Sequence, residues 1–272
     1  MQVSGVTSKH LSISIKLLRT ECALGACCFP RAYSTLTPKV EEAESPGARR
    51  LCAHALLLVR CWRRVSGNAY EEDKYVGEPL AEMGVEVLGL DRFPGIGEIP
   101  ENGSTFAENA LVKAGTVADY TGLISVADDS GLEVDALGGR PGIYSARYSD
   151  DWFSNPGETK DQRNIRKLLY ELKNVPYERR QARFVCCMAA VKPGHYEPED
   201  TLVVQGTWEG RILNEAIGEN GFGYDPVFCD IIMGVTAAQM SAEDKMARSH
   251  RGNALRSLVA CWQDWISTPP VH

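Results

Sequence analysis

The run Val126-Ala127-Asp128-Asp129-Ser130-Gly131-Leu132 puts two adjacent carboxylates after a short apolar stretch. Residues 123–127 predict a buried strand that stops at the acidic pair and a Ser-Gly turn. Ligands of open α/β sheets bind beyond the carboxyl ends of strands, so the pair falls where such a sheet does its chemistry. Neighbouring carboxylates repel each other and resist desolvation unless a cation lies beside them. Hard oxygen donors of this kind suit Mg2+. Asp128 and Asp129 are therefore candidate metal ligands, and Glu101 or Glu108 could share the ion. Glu108, three residues after Thr105, also reads as a helix cap alone.

Three further groups carry chemistry. In Gly218-Glu219-Asn220-Gly221-Phe222-Gly223-Tyr224-Asp225-Pro226, glycines flank aromatic rings. Such a segment lets the backbone approach a flat ligand while a ring stacks on it, or simply makes a tight loop between strands. Asp225, held extended by Pro226, could accept hydrogen bonds from a base edge. Lys245, with His250 and Arg251 in Ser249-His250-Arg251-Gly252, offers phosphate charge, bidentate donors and a donor to a base carbonyl. Ser66-Gly67-Asn68 is a small polar turn whose backbone N–H groups suit a phosphate.

These groups need a scaffold. Residues 54–59 and 85–88 read as strands, and 71–83 as a helix weakened by Gly77 and Pro79. Residues 104–120 give the strongest helix, opened by a Thr105-x-x-Glu108 capping box. A second amphipathic helix spans 158–172, residues 182–191 and 202–208 read as paired antiparallel strands, and Ser241-x-x-Asp244 opens a helical tail to about residue 265. Helices alternating with strands, then hairpin strands, predict an α/β fold with a mixed sheet. Residues 1–53 read as an N-terminal extension and 54–268 as the functional domain.

Bulk properties narrow the function. Residues 1–67 carry ten Lys/Arg and four Asp/Glu, whereas 68–272 carry 19 and 32, so the main body lacks the basic footprint of a duplex-binding protein. The first 40 residues hold five Lys/Arg against Glu21 alone, a composition shared by organelle transit segments and by irregular extensions. No apolar run approaches the roughly 18–20 residues of a membrane span. Nine cysteines without zinc-type CxxC spacing point to reduced thiols in an intracellular compartment.

Residues 84–262 resemble the inosine triphosphate pyrophosphatases, the dITP/XTP pyrophosphatases. The shared motifs are Ser104-Thr105-Phe106-Ala107-Glu108-Asn109-Ala110 with Lys113-Ala114, Ala127-Asp128-Asp129-Ser130-Gly131-Leu132, Leu137-Gly138-Gly139-Arg140-Pro141-Gly142-Ile143-Tyr144-Ser145-Ala146-Arg147, Gly221-Phe222-Gly223-Tyr224-Asp225-Pro226 and Ser249-His250-Arg251-Gly252. The resemblance implies an elongated mixed β-sheet flanked by helices, in two lobes about a central substrate cleft. It implies Mg2+-dependent hydrolysis of ITP, dITP and XTP to the monophosphate and pyrophosphate by a cytoplasmic homodimer. It makes Asp129 the proton acceptor at the metal site and Ser130 a substrate contact. Phe222, Gly223, Tyr224 and Asp225 become the base-binding loop, and Lys245, His250 and Arg251 further nucleotide contacts. His250 and Arg251 would read the 6-keto group. Ser66, Gly67 and Asn68 fall where the family grips the triphosphate, but Glu71 stands where the family carries Lys, and Val235 where many relatives do. A relative that binds nucleotide without turning it over, or a Maf-like pyrophosphatase, are the competing readings.

Overall fold

The computed structural model describes the backbone of residues 55–59 together with residues 79–269. One six-stranded sheet runs through them in the order β2-β1-β3-β4-β5-β6. β1 (Ala55–Val59), β2 (Glu86–Gly89) and β3 (Ile124–Val134) form its parallel part. β4 (Gln181–Val191), β5 (Thr201–Ile212) and the short edge strand β6 (Phe228–Asp230) continue it antiparallel. The mixed sheet expected from the sequence is present. Of the helix expected over 71–83, residues 79–82 are helical, while 71–78 lie outside the described residues, as do 1–53.

The side-chain period of two sorts the long central strands onto two faces. On β4, Val185, Cys187, Ala189 and Val191 pack with α1 (Phe106–Thr121), while Cys186, Met188 and Ala190 pack with α4 (His250–Ser267). A third core gathers the far ends of β3, β4 and β5 with α2 (Lys160–Glu171) and β6. The expected two lobes thus have a physical basis. Ala127 of β3 belongs to the core under α1 and Leu132 to the third core, and Asp128 to Gly131 bridge the seam between them.

Two expectations need correction. β3 does not stop at the acidic pair. It runs on to Val134 because its antiparallel pairing with β4 continues from Ser125↔Val191 to Val134↔Ala182. Among the described residues, the parallel pairing reaches Val59↔Ala127, just before the carboxylates. Gly131 makes no turn; it admits a close neighbour, since a Cβ there would lie 2.5 Å from Gly142 O and from Ser145 Oγ. The C-terminal helical tail is also two helices. α3 (Ala242–Arg248) ends at Ser249, whose extended backbone breaks the run and whose hydroxyl accepts from Gly252 N to start α4.

That junction is fixed from two sides. Asp230, fully buried, accepts from Arg248 Nε at 2.7 Å, from Trp208 Nε1 at 2.7 Å and from the amides of Ile232 and Met233. Burial alone would push its carboxyl up, but the Arg248 guanidinium, those amides and the indole hold it down at about 2. Gly206 of β5 lets α4 lie directly on the sheet, since a Cβ there would come within 2.2 Å of His250 O and 2.3 Å of Ala254 N.

Gly206→Ala must therefore push the start of α4 off the sheet, and a loss of about 1–3 kcal/mol is expected from urea unfolding. A depressed carboxyl adds stability that is complete above its unfolded pKa and lost on acidification. The gap in urea midpoint between the wild type and Asp230→Asn is accordingly expected to be full at neutral pH and to narrow from about pH 4 towards 2.

Candidate active site at the seam of the sheet

Parity decides what the acidic pair can do. Adjacent residues of a strand point to opposite faces, so Asp129 projects under α1 with Ala127, and Asp128 and Ser130 project towards α4. The two carboxylates thus meet different partners, Asp129 with Lys113 and Asp128 with Arg251.

On the α1 face, Thr105 accepts from Glu108 N and starts the helix so that Asn109 and Lys113, one turn apart, both face β3. Asn109 Nδ2 donates to Asp129 Oδ2 at 3.0 Å. Lys113 Nζ donates to Asp129 Oδ1 at 2.8 Å and to Glu101 Oε1 at 3.0 Å. Arg147 Nη1 reaches the other oxygen of Glu101 at 3.2 Å. Lys113 is only 2% exposed. Burial works against its charge, but Asp129, Asp128 and Glu101 outweigh it and hold the ammonium well above its ordinary pKa. Burial raises Asp129, with Lys113 and Asn109 pulling the other way, which leaves a carboxylate more basic than an ordinary aspartate. Glu108 lies apart from this group. Its carboxylate accepts from Ser104 N at 2.6 Å and Ser104 Oγ at 2.7 Å, and those bonds hold its pKa down. Half of the expected capping box is present, with the return bond shifted from Thr105 to Ser104.

On the α4 face, Arg251 bridges three groups. Nε donates to Asp128 Oδ2 at 3.1 Å and Nη2 to Ser130 Oγ at 2.8 Å, and the guanidinium lies 5.7 Å from the Phe222 ring centroid. Lys245 stands 4.7 Å over the same ring and bonds Asp225. Asp225 also accepts from Phe222 N at 2.8 Å, so it is buried in its own loop and not extended towards a ligand. Tyr224 points inward, donating to Ser145 O at 2.9 Å. Gly223 N donates to Asp161 of α2 at 2.9 Å. His250 stacks on Phe184 with centroids 4.9 Å apart. Burial, then the charges of Arg251 and Lys245, keep its imidazole neutral, and its buried Nδ1 meets no partner among the described residues. Ser66, Gly67, Asn68 and Glu71 lie outside the described residues.

Lys113, Asn109, Arg147 and Asp161 were not singled out from the sequence as site residues. Lys113 left a readable signal: a lysine on a helix face otherwise made of Phe106, Ala110, Ala114 and Val117. As for a metal, Glu101 and Asp129 are hard oxygen donors converging on one cation position, which Lys113 shares. No cluster of three His, Cys, Asp or Glu among the described residues is placed to hold an ion unaided. The donor set suits a divalent cation that brings phosphate oxygens with it.

Fold and site define a mixed α/β protein with a lysine-paired carboxylate on one face of its central strand and an aromatic, cationic wall on the other. The sequence profile of the Ham1 family matches residues 66–261. The dITP/XTP pyrophosphatase of Nitratidesulfovibrio vulgaris (strain Hildenborough) is 56% identical over 187 residues, covering 69% of this chain and 88% of its own. That of Shigella flexneri is 47% identical over 180 residues, 66% of this chain and 87% of its own. Among solved structures, a HAM1 protein from Coxiella burnetii superposes with a TM-score of 0.66 at 34% identity, covering 78% of this chain and 99% of its own. A nucleoside-triphosphatase / dITP/XTP pyrophosphatase from Mycobacterium abscessus gives 0.57 at 42%, covering 75% and 98%. This chain belongs to the Ham1 family.

Removing the ammonium leaves two half-buried carboxylates facing each other. In Lys113→Met, Asp129 is expected to titrate at higher pH than in the wild type, followed by 13C NMR of labelled aspartate carboxyls; an unmoved titration would show that Lys113 does not set its charge.

Proposed function

We propose that this enzyme of the nucleoside triphosphate pyrophosphatase class hydrolyses deaminated purine triphosphates, ITP, dITP and XTP, to the monophosphate and pyrophosphate, with Mg2+ as the ion. The observation that carries the reading is Arg251, which touches both the carboxylate strand and the aromatic loop and so ties a hydrolytic face to a wall suited to a flat base. The names of the relatives agree.

Asp129, raised by burial and oriented by Asn109 and Lys113, takes a proton from a water as the water oxygen bonds to the α-phosphorus. The α–β phosphoanhydride bond breaks, and pyrophosphate leaves with the electron pair. Glu101 and Asp129 would hold Mg2+ together with phosphate oxygens, and the ion supplies neutralisation of phosphate charge. At the other end Phe222 stacks on the base. The neutral imidazole of His250 carries one N–H donor for a 6-keto oxygen. Where the base carries a 6-amino group instead, polar groups would be buried unpaired, which is how such a site rejects ATP. Retention of Asp129, Lys245, His250 and Arg251 favours turnover over mere binding, and the aromatic loop beside Ser249-His250-Arg251 disfavours a Maf-like reading. In this reading the enzyme works as a homodimer on free cytoplasmic nucleotides. No helix among the described residues is long and apolar enough to cross a membrane.

Pyrophosphate release from ITP, XTP, dITP, ATP and GTP, with and without Mg2+, tests this directly. Release is expected to be Mg2+-dependent, to favour the first three, and to fall by roughly 10²–10⁴-fold in Asp129→Asn. Equal rates with ATP would remove the specificity. Binding of ITP without release would favour the non-hydrolytic relative.

A further inference from the structure

The aromatic loop is held from outside more than from within. Among its backbone ties, Asp225 N donates to Phe222 O, Asn220 N to Ala238 O, Ala238 N to Asp225 O, and Val227 N and Phe228 N to Tyr224 O; side chains add the rest. Asp225 takes Phe222 N, Ser145 O takes the Tyr224 hydroxyl, and Asp161 Oδ2 takes Gly223 N at 2.9 Å. Asp161 is the second residue of α2 after its cap Thr159. The helix is itself fixed to the strand that carries Asp129. Asn164 Oδ1 accepts from Ser149 N and Oγ at 2.9 and 2.6 Å, and its Nδ2 donates to Ser145 O at 3.3 Å. Ser145 Oγ accepts from Leu132 N at 2.8 Å. The bonds close a ring: β3, Ser145, Tyr224, the loop, Asp161, α2, Asn164 and back to Ser145.

We infer that Asp161 is a positioning residue for the aromatic loop: through Gly223 it sets where Phe222 stands against Lys245 and Arg251, and so how tightly and selectively the base is held. What the loop holds rests on the nucleotide reading above; the tie itself does not. Phe222 lies between two fixed points, its own amide on Asp225 and the next amide on Asp161, and Asp161 supplies the one that refers the ring to α2 and thence to β3. A carboxylate in a first helical turn also interacts favourably with the helix dipole. The two roles separate chemically, because asparagine keeps an acceptor oxygen and gives up the charge.

The experiment uses the full chain as wild type, Asp161→Ala, Asp161→Asn and Thr159→Ala. It reads backbone hydrogen exchange alongside pyrophosphate release from ITP and ATP. Asp161→Ala is expected to speed exchange across residues 221–225, raise KM for ITP about tenfold with kcat within about twofold, and narrow the preference for ITP over ATP. Asp161→Asn is expected to restore all three. Thr159→Ala, which removes the helix cap and leaves the tie, is expected to speed exchange only at the start of α2. The proposal is overturned by unchanged exchange at 221–225 in Asp161→Ala, by an Asp161→Asn as impaired as the alanine variant, or by a Thr159→Ala that loosens the loop equally. A wild type that releases no pyrophosphate overturns the nucleotide reading instead, and the exchange results then decide the tie alone.

Discussion

A buried ammonium dictates the centre of this molecule. Taking a charge out of water costs several kcal/mol unless partners repay it, and Lys113 is repaid by two carboxylates, Glu101 and Asp129. Neither can move without stranding it. Glu101 is further pinned by Arg147 and Asp129 by Asn109, so the loop before α1, the helix, the central strand and the segment around residue 147 share one electrostatic knot. Small residues make this possible: Ala110 and Ala114 are fully buried beside Lys113 and let its apolar stem lie in the core while the head reaches the strand.

The period of the β-strand then divides the labour. Two aspartates adjacent in sequence face different helices, and each is met by a different cation, Lys113 under α1 and Arg251 under α4. The acidic pair is therefore two single sites on two faces. One face suits proton transfer and phosphate chemistry, and the other organises the aromatic wall. Arg251 belongs to the second and reaches the strand through Asp128 and Ser130.

Much of this was legible in the sequence, for reasons that can be named. The capped helix at Thr105 and the alternating strands β4 and β5 announced themselves through periodicity and turn chemistry, and the mixed sheet followed. Local pattern misled at Gly131, where Ser-Gly read as a turn. The glycine is there for the close approach of Gly142 and Ser145, a tertiary fact with no local signature. The tail read as one helix because nothing in Ser249 alone says that its hydroxyl will start a second. Reading Asp128 and Asp129 as one ligand pair assumed a loop; once the strand continues, parity turns them to opposite faces. Asp161 and Asn164 were invisible as site residues because their partners lie up to 62 positions away in the chain.

Charge bookkeeping at the seam leads to one last step. Among the described residues, Glu101, Asp128, Asp129 and Asp225 meet Lys113, Arg147, Arg251 and Lys245, four anions against four cations. These described pairs balance each other, and a triphosphate brings several negative charges. The paired cations cannot neutralise it without releasing their carboxylates, and a released carboxylate would repel it. In this reading a divalent cation entering with the phosphates would add the missing positive charge, and the hard oxygens of Glu101 and Asp129 are suited to meet it. A metal would complement the salt bridges that hold the site together, because the cations named here already face the site's own acids.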